Sequence, residues 1–182
     1  MAVACGLAIG AVVHSSSEAA SIDGVEFSPF YQTKTLTLRL TGAALKKYFS
    51  IKVFAAGLYL GEEVPSKQVL ADVPKRLEVV YFQNIPQVEL ARTTRKAMAA
   101  NIPPREFQSL EKRIDQLNSY YVDVKPGDRY TATYIPRLGT KIALNGQLQG
   151  VIRGADFAVA FFATWVGDRP VDETLKAELL GE

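Results

Sequence analysis

Between Thr35 and Leu40 the chain reads TLTLRL, apolar and polar in strict alternation, the period of a half-buried strand. Thr41-Gly42 interrupts the pattern. KKYFSIKVFAAGLYL, Lys46 to Leu60, is rich in aromatic and β-branched residues and predicts one long strand or a bent pair. Gly57 near its end signals a bulge or a close backbone approach. KRLEVVYF, Lys75 to Phe82, is a further strand. The period then changes. Pro86 suits a first helical turn, and a helix runs on to about Asn101. A second starts at Pro103-Pro104, where Phe107, Leu110, Ile114, Leu117 and Tyr121 form one apolar stripe opposite Glu111, Lys112 and Asp115. After a turn at Pro126 to Asp128 come RYTATYIP and GTKIALNG, with Asn145-Gly146 as a hairpin turn and QLQGVIRG returning. Ala155 to Val166 predicts a helix stopped at Gly167, and VDETLKAELLGE a short last helix capped by Asp172.

Strands, two helices, strands, two helices: this order argues an α+β fold, an antiparallel sheet with helices laid on one face. The Ala155–Val166 helix is apolar nearly all round, through Phe157, Ala158, Phe161, Phe162 and Trp165. Such a helix is a buried core element, or else part of its face walls a pocket. No repeat, low-complexity tract or linker divides the chain. At 182 residues, 48% hydrophobic and 22% charged, the composition is that of a single globular domain with a sizeable core.

The first twenty residues stand apart. AVACGLAIGAVV, Ala2 to Val13, is an apolar run too short to span a bilayer, and HSSSEAA follows it. The pattern is that of a secretory leader cut near Ala19 or Ala20, although no Lys or Arg precedes the run. The expected organisation is a leader over residues 1–20 and one domain over 21–182, exported to the periplasm or secreted, with no transmembrane span in the mature chain. The only cysteine and the only histidine, Cys5 and His14, would leave with the leader. A chain without them has no disulfide, no usual zinc ligands and no histidine base or Cys-His pair. No metal or cofactor is expected. The net charge of +2 is dispersed, without a run of Lys/Arg, which argues against nucleic acid as a partner.

FSIKVFAAGLYL (Phe49 to Leu60), IPRLGTKIALNGQLQGVIRGADFAVAFFATWVG (Ile135 to Gly167) and the closing LKAELLG together resemble the chalcone isomerase-like proteins, and within them the bacterial branch. The resemblance runs from about Val25 to Gly181. It implies an open-faced β-sandwich, a large antiparallel sheet backed by a layer of helices with a ligand cleft between. The plant enzymes of the family close a chalcone to a flavanone without metal. Other members bind fatty acids or act as non-catalytic helpers, so the fold alone does not choose an activity.

The resemblance also carries positions. Where the enzymes have an arginine before the long strand, TGAALKKYF puts Lys46, a point charge without the planar fork. Where they have a threonine in that strand, this chain has Phe54. Where they have a tyrosine and an asparagine on the first helix, it has Val88 and Arg95. Unbroken alternation would set Lys52, Phe54, Ala56 and Leu58 on one face, the cleft face by resemblance. No catalytic residue is assigned. Lys46, Lys52, Phe54, Val88 and Arg95 are the candidate ligand-binding residues, an apolar wall with a cationic rim. The expected function is non-catalytic binding of a small apolar anion such as a fatty acid. The alternatives are an isomerase with a rearranged site, and a structural or partner-binding domain whose cleft is filled by its own side chains.

Overall fold

The computed structural model describes residues 19–182. Residues 1–18, with Cys5, His14 and nearly all of the expected leader, lie outside the described residues. The first elements are short: β1 (Ala20–Ile22) and β2 (Val25–Phe27) form a small hairpin, and β3 (Phe30–Gln32) begins the main sheet. Sequence periodicity did not reveal these three, because a run of three residues is too short to establish a period.

β4 (Thr37–Tyr48) and β5 (Ile51–Leu60) form a long antiparallel hairpin. One expectation is corrected here. Thr41-Gly42 does not end the first strand; the chain passes through it in a register shift between Leu40 and Gly42. The glycine is needed for another reason, since a Cβ at Gly42 would lie 2.0 Å from the Glu178 carbonyl oxygen. The stretch Lys46 to Leu60 is the bent pair, folding back at Phe49-Ser50 with Phe49 in the left-handed region at φ 53°. Gly57 is a close approach, as its pattern suggested: a Cβ there would stand 2.6 Å from the Phe27 ring.

β6 (Lys75–Tyr81), α1 (Gln87–Asn101), α2 (Pro104–Asn118), β7 (Arg129–Ile135), β8 (Gly139–Leu144), β9 (Gln147–Ile152), α3 (Ala155–Val166) and α4 (Glu173–Leu180) complete the chain. β3 to β9 pair in sequence order as one seven-stranded antiparallel sheet. The four α-helices among the described residues back one face, the α+β layering that the pattern implied and the open-faced β-sandwich that the resemblance implied. Asn145 (φ 50°) and Gly146 (φ 82°) make the tight turn between β8 and β9. Asp172 caps α4, its carboxylate accepting from the Leu175 amide at 2.8 Å.

Two apolar clusters result. On the helix side, Ala56, Leu58, Leu77, Val79 and Ile142 of the sheet pack with Leu110, Ile114 and Leu117 of α2 and Phe157, Phe161 and Phe162 of α3. On the other face, Phe27 of the small hairpin seals Leu38, Ala55, Tyr59 and Val80. Two arginines, Arg76 and Arg129, both engage the Glu78 carboxylate on that side. None of the described helices is long and apolar enough to cross a membrane.

Candidate functional site

The helix layer and the sheet do not close on each other everywhere. Between them lies a cavity of about 790 Å³, within the ordinary range for a small-molecule site. Its floor is a single row across three strands. Lys46 of β4 pairs with Phe54 of β5, and Phe54 with Tyr81 of β6. Its roof is the inner side of α1, with Leu90, Thr93, Thr94 and Ala97, and the last turns of α3, with Phe161, Thr164 and Trp165. Phe54 contacts Trp165 edge-on at 5.6 Å and Tyr81 at 6.2 Å between ring centres. Tyr48, Glu89, Arg92 and Val171 also border it. A recess of about 30 Å³ shares Tyr81, Tyr121, Phe161 and Trp165 with it, and its further lining includes Leu77, Leu117, Tyr130 and Ile142.

Of the five residues singled out from the sequence, the structure brings two to this wall, Lys46 and Phe54. The other three lie elsewhere. Lys46 pairs with Phe54 but Lys47 pairs with Lys52, so Val53 is an extra residue on β5. A bulge of this kind breaks the two-residue alternation. Val53 joins Phe54 on the cavity wall, while Lys52 turns to the opposite side and holds Asp23 of the small hairpin at 2.6 Å. Val88, in the first turn of α1, is 66% exposed and is not part of the wall. Arg95 points across to α2, where its guanidinium meets Glu111 at 2.6 Å and lies over the Phe107 ring.

The expected cationic rim is also corrected. Lys46 is bound to Asp172 at 2.5 Å, and Arg92 to Glu89 at 2.5 Å, so each cation at the wall has a carboxylate beside it. The hydrogen bond from Lys46, with the Leu175 amide second, holds the Asp172 carboxyl below its ordinary range. Lys46 remains the cation with the greater shielding from water: its side chain is 28% exposed, against 64% for Arg92. An ammonium group has three donors, and Asp172 occupies one.

Sequence reasoning missed the tyrosines. Three of them, Tyr81, Tyr121 and Tyr130, stand edge to face with ring centres 5.5–6.4 Å apart. The Tyr130 hydroxyl donates to the Tyr120 carbonyl and accepts from the Val122 amide, both at 3.0 Å. The Tyr121 hydroxyl shares a hydrogen bond with Thr94 at 3.1 Å. The Tyr81 hydroxyl has no hydrogen-bond partner among the described residues, although the residue is only 7% exposed. Burial, reinforced by the two neighbouring phenols, pushes its pKa far above the ordinary tyrosine value. It is a neutral donor without an acceptor on a cavity wall. The sequence signal was its register with Phe54, which only the strand pairing reveals.

The cavity can therefore hold a chain-like apolar body, with one shielded ammonium group and one unspent phenol on its floor. Comparisons with known proteins agree with this architecture. Residues 19–181 match the sequence profile of the chalcone isomerase-like family. No curated protein matches the chain in sequence. Among solved structures, the fold is similar to the crystal structure of a fatty-acid binding protein from Arabidopsis thaliana, with a TM-score of 0.71 over 90% of this chain and 96% of that one. The two sequences are 13% identical, a likeness of fold.

Proposed function

The chain belongs to the chalcone isomerase-like family, and we propose that it is one of the family's non-catalytic members, binding a small apolar anion such as a fatty acid. The observation that carries this reading is the open, mostly apolar cavity of about 790 Å³ with Lys46 on its floor. A cleft filled by its own side chains, the alternative of a purely structural domain, is at odds with that volume. Burying a methylene contributes about 0.8 kcal/mol, so a dozen of them supply about 10 kcal/mol gross. That exceeds the lower range of association costs, which run from about 4 kcal/mol upward. Lys46 then needs only to orient the carboxylate, with a donor that Asp172 leaves free. The fold's likeness to a fatty-acid binding protein supports the same reading.

The isomerase alternative draws no support from the site. Phe54 has no hydroxyl to hold a substrate carbonyl, and Lys46 lacks the arginine fork. A preorganised donor at developing charge is worth about 3–4 kcal/mol, so losing two of them removes most of such a site's advantage. We further read the chain as exported after loss of its leader, and as a member of the bacterial branch. Titration calorimetry with dodecanoate, alongside an absorbance assay with a hydroxychalcone, tests the function. Saturable binding without stereospecific flavanone formation is expected. Stereospecific cyclisation above the spontaneous rate would overturn the reading.

A further inference from the structure

Lys46 and Tyr81 lie on the same row of the sheet with one strand between them. Neighbouring strands are about 4.8 Å apart, which sets the two positions about 10 Å apart at the backbone. Both line the same cavity, and Phe54 separates them with an apolar surface. The two tyrosines beside Tyr81 have their hydroxyls occupied by Thr94 and by the Tyr120–Val122 backbone. Tyr81 alone of the three has a hydroxyl with no protein partner among the described residues, and that oxygen is not fully enclosed, so it is open to the cavity. A hydroxyl that no protein group engages and that opens onto a ligand cavity has its donor and acceptor available to the ligand.

The chemistry of that partner is restricted. Around Tyr81 the wall is Phe54, Phe161, Trp165 and Tyr121. No cation stands among these four to neutralise a second carboxylate, and a buried unpaired charge is far costlier than a buried hydroxyl. The phenol can donate to a carbonyl or hydroxyl oxygen, and accept from a hydroxyl. We propose that Tyr81 recognises a neutral oxygen carried part-way along the bound chain, so that the preferred ligand is a hydroxy or oxo acid and not a plain saturated one. This rests on the acid-binding reading above and adds a second point of contact to it. Lys46 holds the carboxylate, Phe54 packs against the intervening methylenes, and Tyr81 reads the oxygen.

The test is a calorimetric comparison of the full chain with dodecanoate and with a series of hydroxydodecanoates whose hydroxyl is moved along the chain. Wild type is expected to bind one positional isomer about tenfold tighter than dodecanoate, the value of one net hydrogen bond. Tyr81→Phe should erase that preference, bringing every isomer to the affinity that the same variant shows for dodecanoate. Tyr121→Phe, whose hydroxyl is already engaged by Thr94, should keep the preference. Thermal unfolding of each variant verifies that the fold survives. The proposal is overturned if no isomer exceeds dodecanoate in the wild type, or if the preference persists in Tyr81→Phe; dodecanoate binding would still stand in both cases. If wild type binds none of these acids, the acid-binding reading itself falls, and this proposal with it.

Discussion

Lys46 and Lys52 are six residues apart on one hairpin, yet only Lys46 reaches the cavity. The difference is one unpaired residue, Val53. Replacing Lys46 with Met keeps an unbranched apolar chain and removes the charge. We expect it to weaken dodecanoate binding about tenfold, because a hydrogen bond to a charged group is worth about 1.5–3 kcal/mol. Lys52→Met and Arg95→Met should leave affinity within about twofold, since their partners are Asp23 and Glu111, away from the wall. Calorimetry on the three variants checks the assignment; equal losses in Arg95→Met and Lys46→Met would contradict it. Phe49 carries a second residue-scale prediction. It is 86% exposed and has φ 53°, a conformation that disfavours a bulky side chain. Phe49→Asn should raise stability by about 0.5–1 kcal/mol in chemical unfolding, because Asn tolerates that region. Lys46 and Phe54 were readable through family resemblance, which carries position along the chain. Lys52 was misplaced because alternation assumes an unbroken strand, and a bulge leaves no mark in composition. Tyr81 went unnoticed, and Tyr121 was read only as the end of the apolar stripe on the second helix, because a tyrosine in a strand or after a helix is an ordinary core residue until pairing shows which wall it joins.

An element packed against solid core carries a sharp apolar stripe; one that borders the cavity carries a weak stripe. The stripe on α2 is sharp because Leu110, Ile114 and Leu117 are buried against the sheet. α1 has only Met98 buried, and its inner side is Leu90, Thr93, Thr94 and Ala97. Those small and polar residues make a weak stripe, and the weakness is itself the signature of a helix that roofs a cavity. α3 does both jobs. Phe157, Ala158 and Phe162 are fully buried in core, while Phe161, Thr164 and Trp165 border the cavity. The sequence posed core and cavity wall as alternatives, and the helix divides them between its faces. Two truncations separate the roles. Phe162→Ala should cost about 3–5 kcal/mol in stability with ligand affinity retained. Phe161→Ala should cost about 3 kcal/mol, the low end of the same range because the site already borders a void, and should also weaken dodecanoate binding. Paired thermal unfolding and calorimetry decide it; a Phe161→Ala protein with unchanged affinity would place the ligand elsewhere.

Across the whole molecule, one sheet serves two layers, the helices with their cavity on one face and the small β1–β2 hairpin on the other. The alternation of strands and helices made the order of layers legible, and the short N-terminal strands were the part that escaped. At the far end of the helix layer Lys75 is fully buried, donating to the Ala71 carbonyl at 2.6 Å beneath the rings of Tyr134 and Phe162. Burial lowers its pKa from 10.5 to about 8, with Asp72 opposing the shift. The unfolded chain therefore binds more protons than the folded one between these values, and stability must rise with pH across that window. Below about pH 8 both states are protonated and the penalty of the buried charge is complete. Denaturant titrations from about pH 7.5 to about pH 9, where unfolded tyrosines are still mostly protonated, should show the rise in wild type and a nearly flat profile in Lys75→Met. Native mass spectrometry of the protein purified without detergent shows whether the cavity holds a ligand. The expected spectrum shows the polypeptide carrying one small acid, released by organic extraction. A bare polypeptide that also takes up no dodecanoate added in excess would contradict the account.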